Sequence, residues 1–106
     1  MRTVIEFQEF VQKTNKEFGV EERENIVEFL SQNPKAGRSI GNFGGIRKVE
    51  WNQKGKQSKS FNIYFHPGSN NLPLVIISMF KKGERMIFNK IIEILIHNKV
   101  HSIRKS

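Results

Sequence analysis

The sequence predicts a small α+β domain in which helices pack on one side of an antiparallel sheet of about four strands. Two observations support this prediction. Apolar residues recur at helical spacing in three segments, and four other segments alternate or are β-branched in the manner of strands. These segments follow the order β-α-α-β-β-β-α, with two N-terminal helices and one C-terminal helix. A chain of 106 residues without internal repeats suits one modest core, so residues 1–106 are assigned to a single domain.

The N-terminal third contains one short strand and two helices. Residues 3–5 include β-branched side chains and predict a strand. Apolar residues recur at helical spacing through residues 7–18, and Gly19 ends this helix. The second helix begins with glutamates, which suit its positive end, and stops at Pro34. Its buried stripe is expected to consist of Ile26, Val27 and Leu30.

The remaining elements are a connection, three strands and a helix. Residues 33–45 are rich in glycine, but lack the Gly-Lys-Ser/Thr of a nucleotide-binding loop. Residues 46–52 and 60–66 predict a hairpin around a lysine-rich loop. Residues 72–80, LPLVIISMF, are apolar at both parities, which predicts a central strand covered on both sides. Residues 84–103 have the helical spacing of a C-terminal helix.

Charge is distributed unevenly along the chain. The formal net charge is +8. Residues 1–33 contain seven glutamates against four basic residues, a net of −3, whereas residues 34–106 contain fourteen basic residues against three glutamates, a net of +11. A basic segment of this density favours nucleic acid as the partner. An anionic membrane surface is a weaker alternative, because no strongly amphipathic basic helix stands out.

The composition excludes several other classes of protein. The chain has no cysteine, which rules out disulfides and thiolate metal sites. The N-terminus lacks the apolar run of a secretory signal, and no apolar run is long enough to span a bilayer. We therefore expect a cytoplasmic protein that is not associated with a membrane.

The predicted hairpin has two unlike faces, because strand side chains alternate with period two. One face is mostly apolar and is formed by Arg47, Val49, Trp51, Phe61, Ile63 and Phe65. The other is polar and is formed by Lys48, Glu50, Asn52, Asn62, Tyr64 and His66. The polar face combines a lysine, a carboxylate, a phenol and an imidazole. These groups are suited to cleaving RNA without a metal or another cofactor.

Metal-free RNA cleavage requires a base for the 2′-hydroxyl, an acid for the leaving 5′-oxygen and a cation for the developing charge. Glu50 is the candidate base and His66 the candidate acid. Lys48 is expected to hold the phosphate, and Tyr64 to stack on a nucleobase or share in proton transfer. A short-looped hairpin would place Glu50 near Asn62 or Tyr64, and Lys48 near Tyr64 or His66. Polar residues on a solvated sheet face remain the competing interpretation.

Several further basic residues are candidate RNA contacts. Arg47 shares the parity of the apolar face, so it either caps the core or pairs with a glutamate, or else it reaches RNA from the end of the sheet. The lysines of and beside the hairpin loop are expected to contact phosphates, or else to be only solvated charge: Lys54, Lys56 and Lys59. His97 and His101 have zinc-ligand spacing on a helix, but no third ligand is evident, and a metal site is not predicted.

The ordered combination of these motifs resembles the RelE/HigB-like toxins of type II toxin–antitoxin systems, which belong to the RelE/ParE superfamily. The similarity covers about residues 3–85. It includes Asn33-Pro34 after a helix, a Gly-Gly-x-Arg-Lys-x-x-Trp strand, a Lys-Gly-Lys loop and a strand with a tyrosine. The residues concerned are Gly44, Gly45, Arg47, Lys48, Trp51, Lys54, Gly55, Lys56 and Tyr64.

The resemblance implies a RelE-like fold and a metal-independent endoribonuclease that cleaves translated mRNA at the ribosomal A site. It also implies a cognate antitoxin, whose complex with the toxin binds operator DNA. Lys82 matches a lysine of the family and is added to the candidate RNA contacts.

Two positions differ from the pattern of the family. Phe61 occupies a position where the family usually has an arginine, and Glu50 one where a basic residue is common. Loss of a cation that steadies the transition state lowers the rate, by ~10²–10³-fold for one donor. The alternative is therefore a non-catalytic member of the superfamily that acts by binding, as a gyrase poison or a decayed toxin.

Overall fold

The computed structural model describes residues 3–41, 44–52 and 59–105, with side chains described as far as residue 98. Its architecture confirms the α+β class. In chain order, the described elements are β1 (Val4–Glu6), α1 (Gln8–Glu17), α2 (Val20–Gln32), β2 (Arg38–Ser39), β3 (Arg47–Asn52), β4 (Ser60–His66), β5 (Leu74–Lys81) and α3 (Ile87–Lys105).

The strands form one five-stranded sheet in the order β1-β5-β4-β3-β2. All neighbours are antiparallel except β1 and β5, which are parallel, so the sheet is mixed. The additional strand is β2, which lies within the connection predicted at residues 33–45 and pairs with β3. Two exposed residues are too few to give a period-two pattern. Strand β2 was therefore not predictable from alternation.

Helices α1 and α2 pack against one face of the sheet. Their core residues are Phe10, Ile26 and Leu30, which are completely buried. The sheet contributes large apolar side chains from β4 and β5 to the same cluster: Phe61, Ile63, Phe65, Leu74, Ile76 and Met79. A β-bulge opposite Tyr64 and Phe65 shifts the register of β5, which lets Ile76 and Met79 face the same core although they are three residues apart.

Helix α3 packs on the opposite face. The sequence pattern predicted helices on one side of the sheet only, and the structure has helices on both sides. Ile91 is completely buried there, together with Ile77 and Phe80 of β5 and Tyr64 of β4. The prediction of a central strand covered on both sides is thereby confirmed for β5. Because β5 is apolar at both parities, its second face requires a cover, and α3 supplies it.

Among the residues that the structure describes, no helix is long and apolar enough to cross a membrane.

Candidate active-site cleft

The hairpin has the two faces that the alternation predicted. In the antiparallel register of β3 and β4, Lys48 lies opposite Tyr64 and Glu50 lies opposite Asn62. Val49 and Trp51 belong to the core under α1 and α2. The polar set therefore projects toward α3. Directly opposed residues have Cβ atoms roughly 5 Å apart, which brings Lys48 and Tyr64 into one neighbourhood.

Helix α3 covers this polar face incompletely and leaves a cleft of about 330 Å³ beside its first turn. Three cationic side chains meet there, and one carboxylate lies at the margin. The lining residues are Arg38, Ile40, Lys48, Asn62, Tyr64, Lys81, Gly83, Glu84, Ile87 and Phe88. Such a cleft is suited to an anionic group, because low-dielectric walls strengthen the field of the cations within.

Arg38 reaches the cleft through a close approach of backbone chains. Strand β2 pairs with β3 so that Arg38 lies opposite Lys48. Gly37 precedes it with φ +69°, and a Cβ at this position would lie 1.9 Å from the carbonyl oxygen of Lys48. Only glycine fits such a contact without a shift of the backbone. Gly37 therefore permits the pairing that places Arg38 beside Lys48.

Tyr64 forms a wall of the cleft and is 5% exposed. Its ring packs edge to face on Phe80, with ring centroids 5.8 Å apart. Burial raises the pKa of the Tyr64 phenol, against the opposing effect of the Arg38 charge, and the Glu84 carboxylate raises it further. The phenol accordingly remains protonated at neutral pH, which suits it to donate a proton or a hydrogen bond.

Glu50 lies next to this cleft and forms an ion pair with Lys82. The Lys82 Nζ lies 3.3 Å from Glu50 Oε1, and both side chains are largely in solvent. This contact places Lys82 on the same side of the sheet as the cleft, which a role of Lys82 in RNA binding would require. Glu50 and Tyr64 are diagonal neighbours in the hairpin, with Cβ atoms about 7–8 Å apart by strand geometry.

Glu50 and His66, the candidate base and acid, lie apart along the hairpin. Both side chains are on the same face, but Glu50 lies opposite Asn62, four residues before His66 on β4. At about 3.4 Å per residue the two are about 13 Å apart along the strand, too far to reach one phosphate. His66 Nδ1 instead accepts a hydrogen bond from the Gly68 amide at 3.0 Å, and its Nε2 abuts Gly45.

Arg47, a candidate RNA contact, has a structural role in the fold. Its guanidinium donates hydrogen bonds to the carbonyl oxygens of Lys35, Ala36 and Gly37, at 2.8 to 3.2 Å. Odd parity places it on the face away from the cleft, across from Phe65. Arg47 thus ties the α2–β2 connection to β3, which is a structural role.

Phe61 also faces away from the cleft. It is buried in the core under α1 and α2, where its ring packs edge to face on Phe18 at 5.2 Å. A side chain at this position points to the helical core and not to the cationic cleft. Phe61 therefore does not occupy a place in the cleft that a cationic side chain could fill.

Of the loop lysines, Lys54 and Lys56 lie outside the described residues. Lys59 is exposed immediately before β4. The side chain of His101 is likewise outside the described part, and within that part no group of three His, Asp or Glu side chains is arranged to hold a metal ion.

Sequence reasoning missed three residues of the cleft: Arg38, Lys81 and Glu84. Arg38 belongs to a strand too short to show a pattern, and Lys81 ends an apolar strand as a single charge. Glu84 lies in the β5–α3 connection, where the sequence pattern predicts a helix start but no spatial neighbour. The one available signal was that a basic residue at a strand end often lies at the rim of a sheet.

Glu84 fixes the start of α3 through an ion pair. The Lys90 Nζ lies 2.5 Å from Glu84 Oε2, and Lys13 of α1 lies 3.8 Å above the ring of Phe80. Burial alone would raise the pKa of Glu84, but the Lys90 hydrogen bond and the charges of Lys90 and Lys13 lower it overall. Burial lowers the pKa of Lys13, with Glu84 opposing. The Glu84 carboxylate is therefore a weak base, and its ion pair with Lys90 holds the start of α3.

Comparison of the chain with protein-family models and with curated proteins gives no match in either case. The similarity to RelE/HigB-like toxins accordingly rests on the motifs quoted above.

Proposed function

We propose that the protein is a toxin of the RelE/HigB kind, a metal-independent endoribonuclease that cleaves translated mRNA in the ribosomal A site. The observation that supports this most is the convergence of Lys48, Arg38 and Lys81 around the protonated phenol of Tyr64. A cationic cleft holds a phosphate, and a buried phenol beside it is an acid that is still protonated at neutral pH.

The reaction requires an in-line attack of the ribose 2′-oxygen on the adjacent phosphorus. Glu50 accepts the 2′-hydroxyl proton, and Tyr64 donates a proton to the departing 5′-oxygen. Lys48 lies directly across from Tyr64 and two residues from Glu50, so it is placed to neutralise the charge that develops on the phosphoryl oxygens. The products are a 2′,3′-cyclic phosphate and a 5′-hydroxyl. Thus the acid assigned to His66 from the sequence is replaced by Tyr64.

The cations at the rim supply affinity for the RNA backbone. Arg38 and Lys81 line the cleft, and Lys82 pairs with Glu50 beside it. Each phosphate contact adds salt-dependent binding without sequence preference. A cognate antitoxin is expected as the protein partner, because a cleft of this charge binds RNA indiscriminately unless it is covered. Operator DNA is expected to bind only to the complex with the antitoxin. The proposed site of action is the cytoplasm, where translated messages are found.

The decisive experiment is primer extension on a translated message after induction of the chain. Codon-phased cuts are expected for the wild type, and a loss of about 10²-fold or more in Tyr64→Phe, which keeps the ring but removes the acid. Lys48→Ala and Glu50→Gln are expected to lose activity as well. The matched control is Lys16→Ala, an exposed lysine of α1 that does not line the cleft.

His66→Gln separates the two assignments of the acid. If Tyr64 is the acid, this variant retains cleavage, whereas a loss equal to that of Tyr64→Phe would restore His66 to the role. Growth arrest with intact messages would exclude the nuclease and favour the alternative, a member of the superfamily that acts by binding.

A further inference from the structure

Strand β1 forms an open edge of the sheet, at the opposite end of the strand order from β2. The odd-numbered residues of β1 bond to β5, as the Phe7 amide does in donating to the Ile76 carbonyl at 3.0 Å. Successive backbone amides and carbonyls point to opposite edges of a strand, so those of Val4 and Glu6 point outward. Among the described residues, these outward groups have no hydrogen-bond partner. Such an edge is a template for the pairing of another chain.

A groove lies between this edge and helix α2. Val4 and Val27 contribute apolar surface to it, and Glu24 and Glu28 line it from the helix. This part of the groove has a volume of about 330 Å³, and a cleft of about 640 Å³ adjoins it at Ser31, which lines both. The second cleft continues to the turn that precedes β5. Together the two clefts provide an elongated site beside β1, which suits an extended chain.

Polar contacts of Arg23 fix the position of α2 beside β1. The Arg23 Nη1 lies 2.5 Å from Glu6 Oε1, and its Nε donates a hydrogen bond to Asn15 Oδ1 at 2.8 Å. The Glu6 carboxylate is therefore neutralised within the fold. Glu24 and Glu28 are exposed and, within the described residues, form no ion pair. The groove thus presents two carboxylates that lack a counter-ion.

We infer that this groove binds an extended basic segment of a separate protein, which pairs with β1 as an additional strand. Hydrogen bonds to the outward backbone groups of Val4 and Glu6 supply the pairing. Side chains of such a segment alternate, so every second one faces α2, where lysine or arginine meets Glu24 and Glu28. The others lie beside Ile5, which is 43% exposed on the opposite face of β1. Apolar β-branched side chains suit that position.

The positive charge of the cationic cleft does not oppose a basic segment at this distance. Strand β3, which contains Lys48, is three strands away from β1, about 14 Å at the usual spacing. Charges are screened beyond about 8 Å at physiological ionic strength. The residues of the groove and those of the cationic cleft do not overlap, so the inference is independent of the proposed nuclease activity. A basic occupant is also distinct from the partner expected at the cationic cleft.

A second copy of the chain is the competing occupant, because two β1 strands can pair with each other. Antiparallel pairing about a twofold axis places the α2 helices of both copies on one face of the joined sheet. Glu24 and Glu28 would then face the same residues of the other copy. Like charges at such a seam oppose association, which favours a basic partner instead.

The probe is a fluorescent heptapeptide of alternating lysine and valine with blocked ends, titrated into the full chain and followed by anisotropy. Combining Glu24→Lys with Glu28→Lys is expected to raise its dissociation constant at least about tenfold. Glu21→Lys with Glu93→Lys is the matched control, because it changes the net charge equally at exposed positions that line neither part of the groove. We expect the control to change the constant by less than about threefold.

Hydrogen exchange followed by NMR tests the strand pairing itself. The peptide should slow the exchange of the Val4 and Glu6 amides and leave that of Ile5 unchanged, since the Ile5 amide already bonds to β5. A fully N-methylated version of the peptide keeps the charges but lacks backbone donors. It should bind at least about tenfold more weakly.

Several results would overturn the inference. Absence of peptide binding, or unchanged exchange at Val4 and Glu6 in its presence, would show that the edge accepts no strand. Equal losses in the groove and control variants, or equal binding of a glutamate–valine peptide, would reduce the interaction to overall charge. Self-association that protects both amides without peptide would assign the edge to a second copy. Peptide binding by a chain that cleaves no message would refute the nuclease and leave this inference standing.

Discussion

The two faces of the central sheet are built from alternate residues of the same strands, yet they differ in how completely they are covered. Helices α1 and α2 bury one face around Phe65 and Ile63, which have no exposed surface. Helix α3 covers only part of the other, leaving Lys48 and Asn62 at an open cleft. Arg47 and Lys48 are neighbours in sequence, but one binds backbone carbonyls and the other lines the cleft. The candidate site thus lies on the face whose cover is incomplete.

The largest effect is expected from truncating a core residue of the covered face. Phe65→Ala should lower the free energy of unfolding by about 3–5 kcal/mol, because it leaves a cavity among completely buried side chains. Asn62→Ala, on the same strand but facing the cleft, should cost less than about 1 kcal/mol. Urea denaturation of both variants measures the difference. Equal losses would mean that the two faces are packed alike.

Glycine substitutions test whether the close approach at Gly37 places Arg38 in the cleft. Gly37→Ala should destabilise the protein by clearly more than Gly41→Ala, because both have positive φ but only Gly37 meets a neighbour, the Lys48 carbonyl. The left-handed conformation alone costs an alanine about 1 kcal/mol. The measurement is chemical denaturation together with RNA affinity, which should fall only for Gly37→Ala. The same loss in both variants would show that β2 does not depend on the close approach.

Substitution of Arg47 should affect mainly the free energy of unfolding, whereas substitution of its neighbour Lys48 should affect mainly RNA binding. Arg47→Ala removes three hydrogen bonds to carbonyls and should cost about 1–3 kcal/mol of unfolding free energy, with RNA affinity nearly unchanged. Lys48→Ala should leave stability almost intact and reduce the salt dependence of RNA binding by about one phosphate contact. Fluorescence anisotropy at several salt concentrations measures the second effect. RNA binding lost in Arg47→Ala at full stability would return Arg47 to the interface.

The smallest effect is expected at the ion pair that holds the start of α3. The folded state lowers the pKa of Glu84 below its ordinary value of 4.5, so its stabilisation is present above that pH and is lost as the pH falls through the lowered pKa. Glu84→Gln should therefore cost less than about 1 kcal/mol at pH 7, and the cost should shrink as the pH falls below 4.5.

Denaturation of the wild type and Glu84→Gln from pH 7 to pH 3 measures this dependence. The control is Glu93→Gln, which replaces an exposed carboxylate of α3. A loss in Glu84→Gln that persists unchanged at pH 3 would exclude the carboxylate charge as its cause.

Much of the hairpin could be predicted, and much of the cleft could not. Two alternating segments and a short loop predicted Lys48 near Tyr64 or His66, and the strand register places it opposite Tyr64. The carbonyl partners of Arg47 belong to a turn whose path no side-chain pattern encodes. The separation of Glu50 from His66 depends on the position of each along its strand, which sharing a face does not reveal. Whether Glu50, Tyr64 and Lys48 act on RNA remains a prediction for the cleavage assay.

The amino-acid sequence by itself determined the order of the elements other than β2, the two unlike faces of the hairpin and the concentration of positive charge after residue 33, because periodicity and charge are local properties of the chain. Only the tertiary structure decided which polar residues share a cleft. That outcome depends on the side of the sheet to which α3 returns and on a two-residue strand seated against β3. Both depend on pairing and packing between separate elements, which no local pattern specifies.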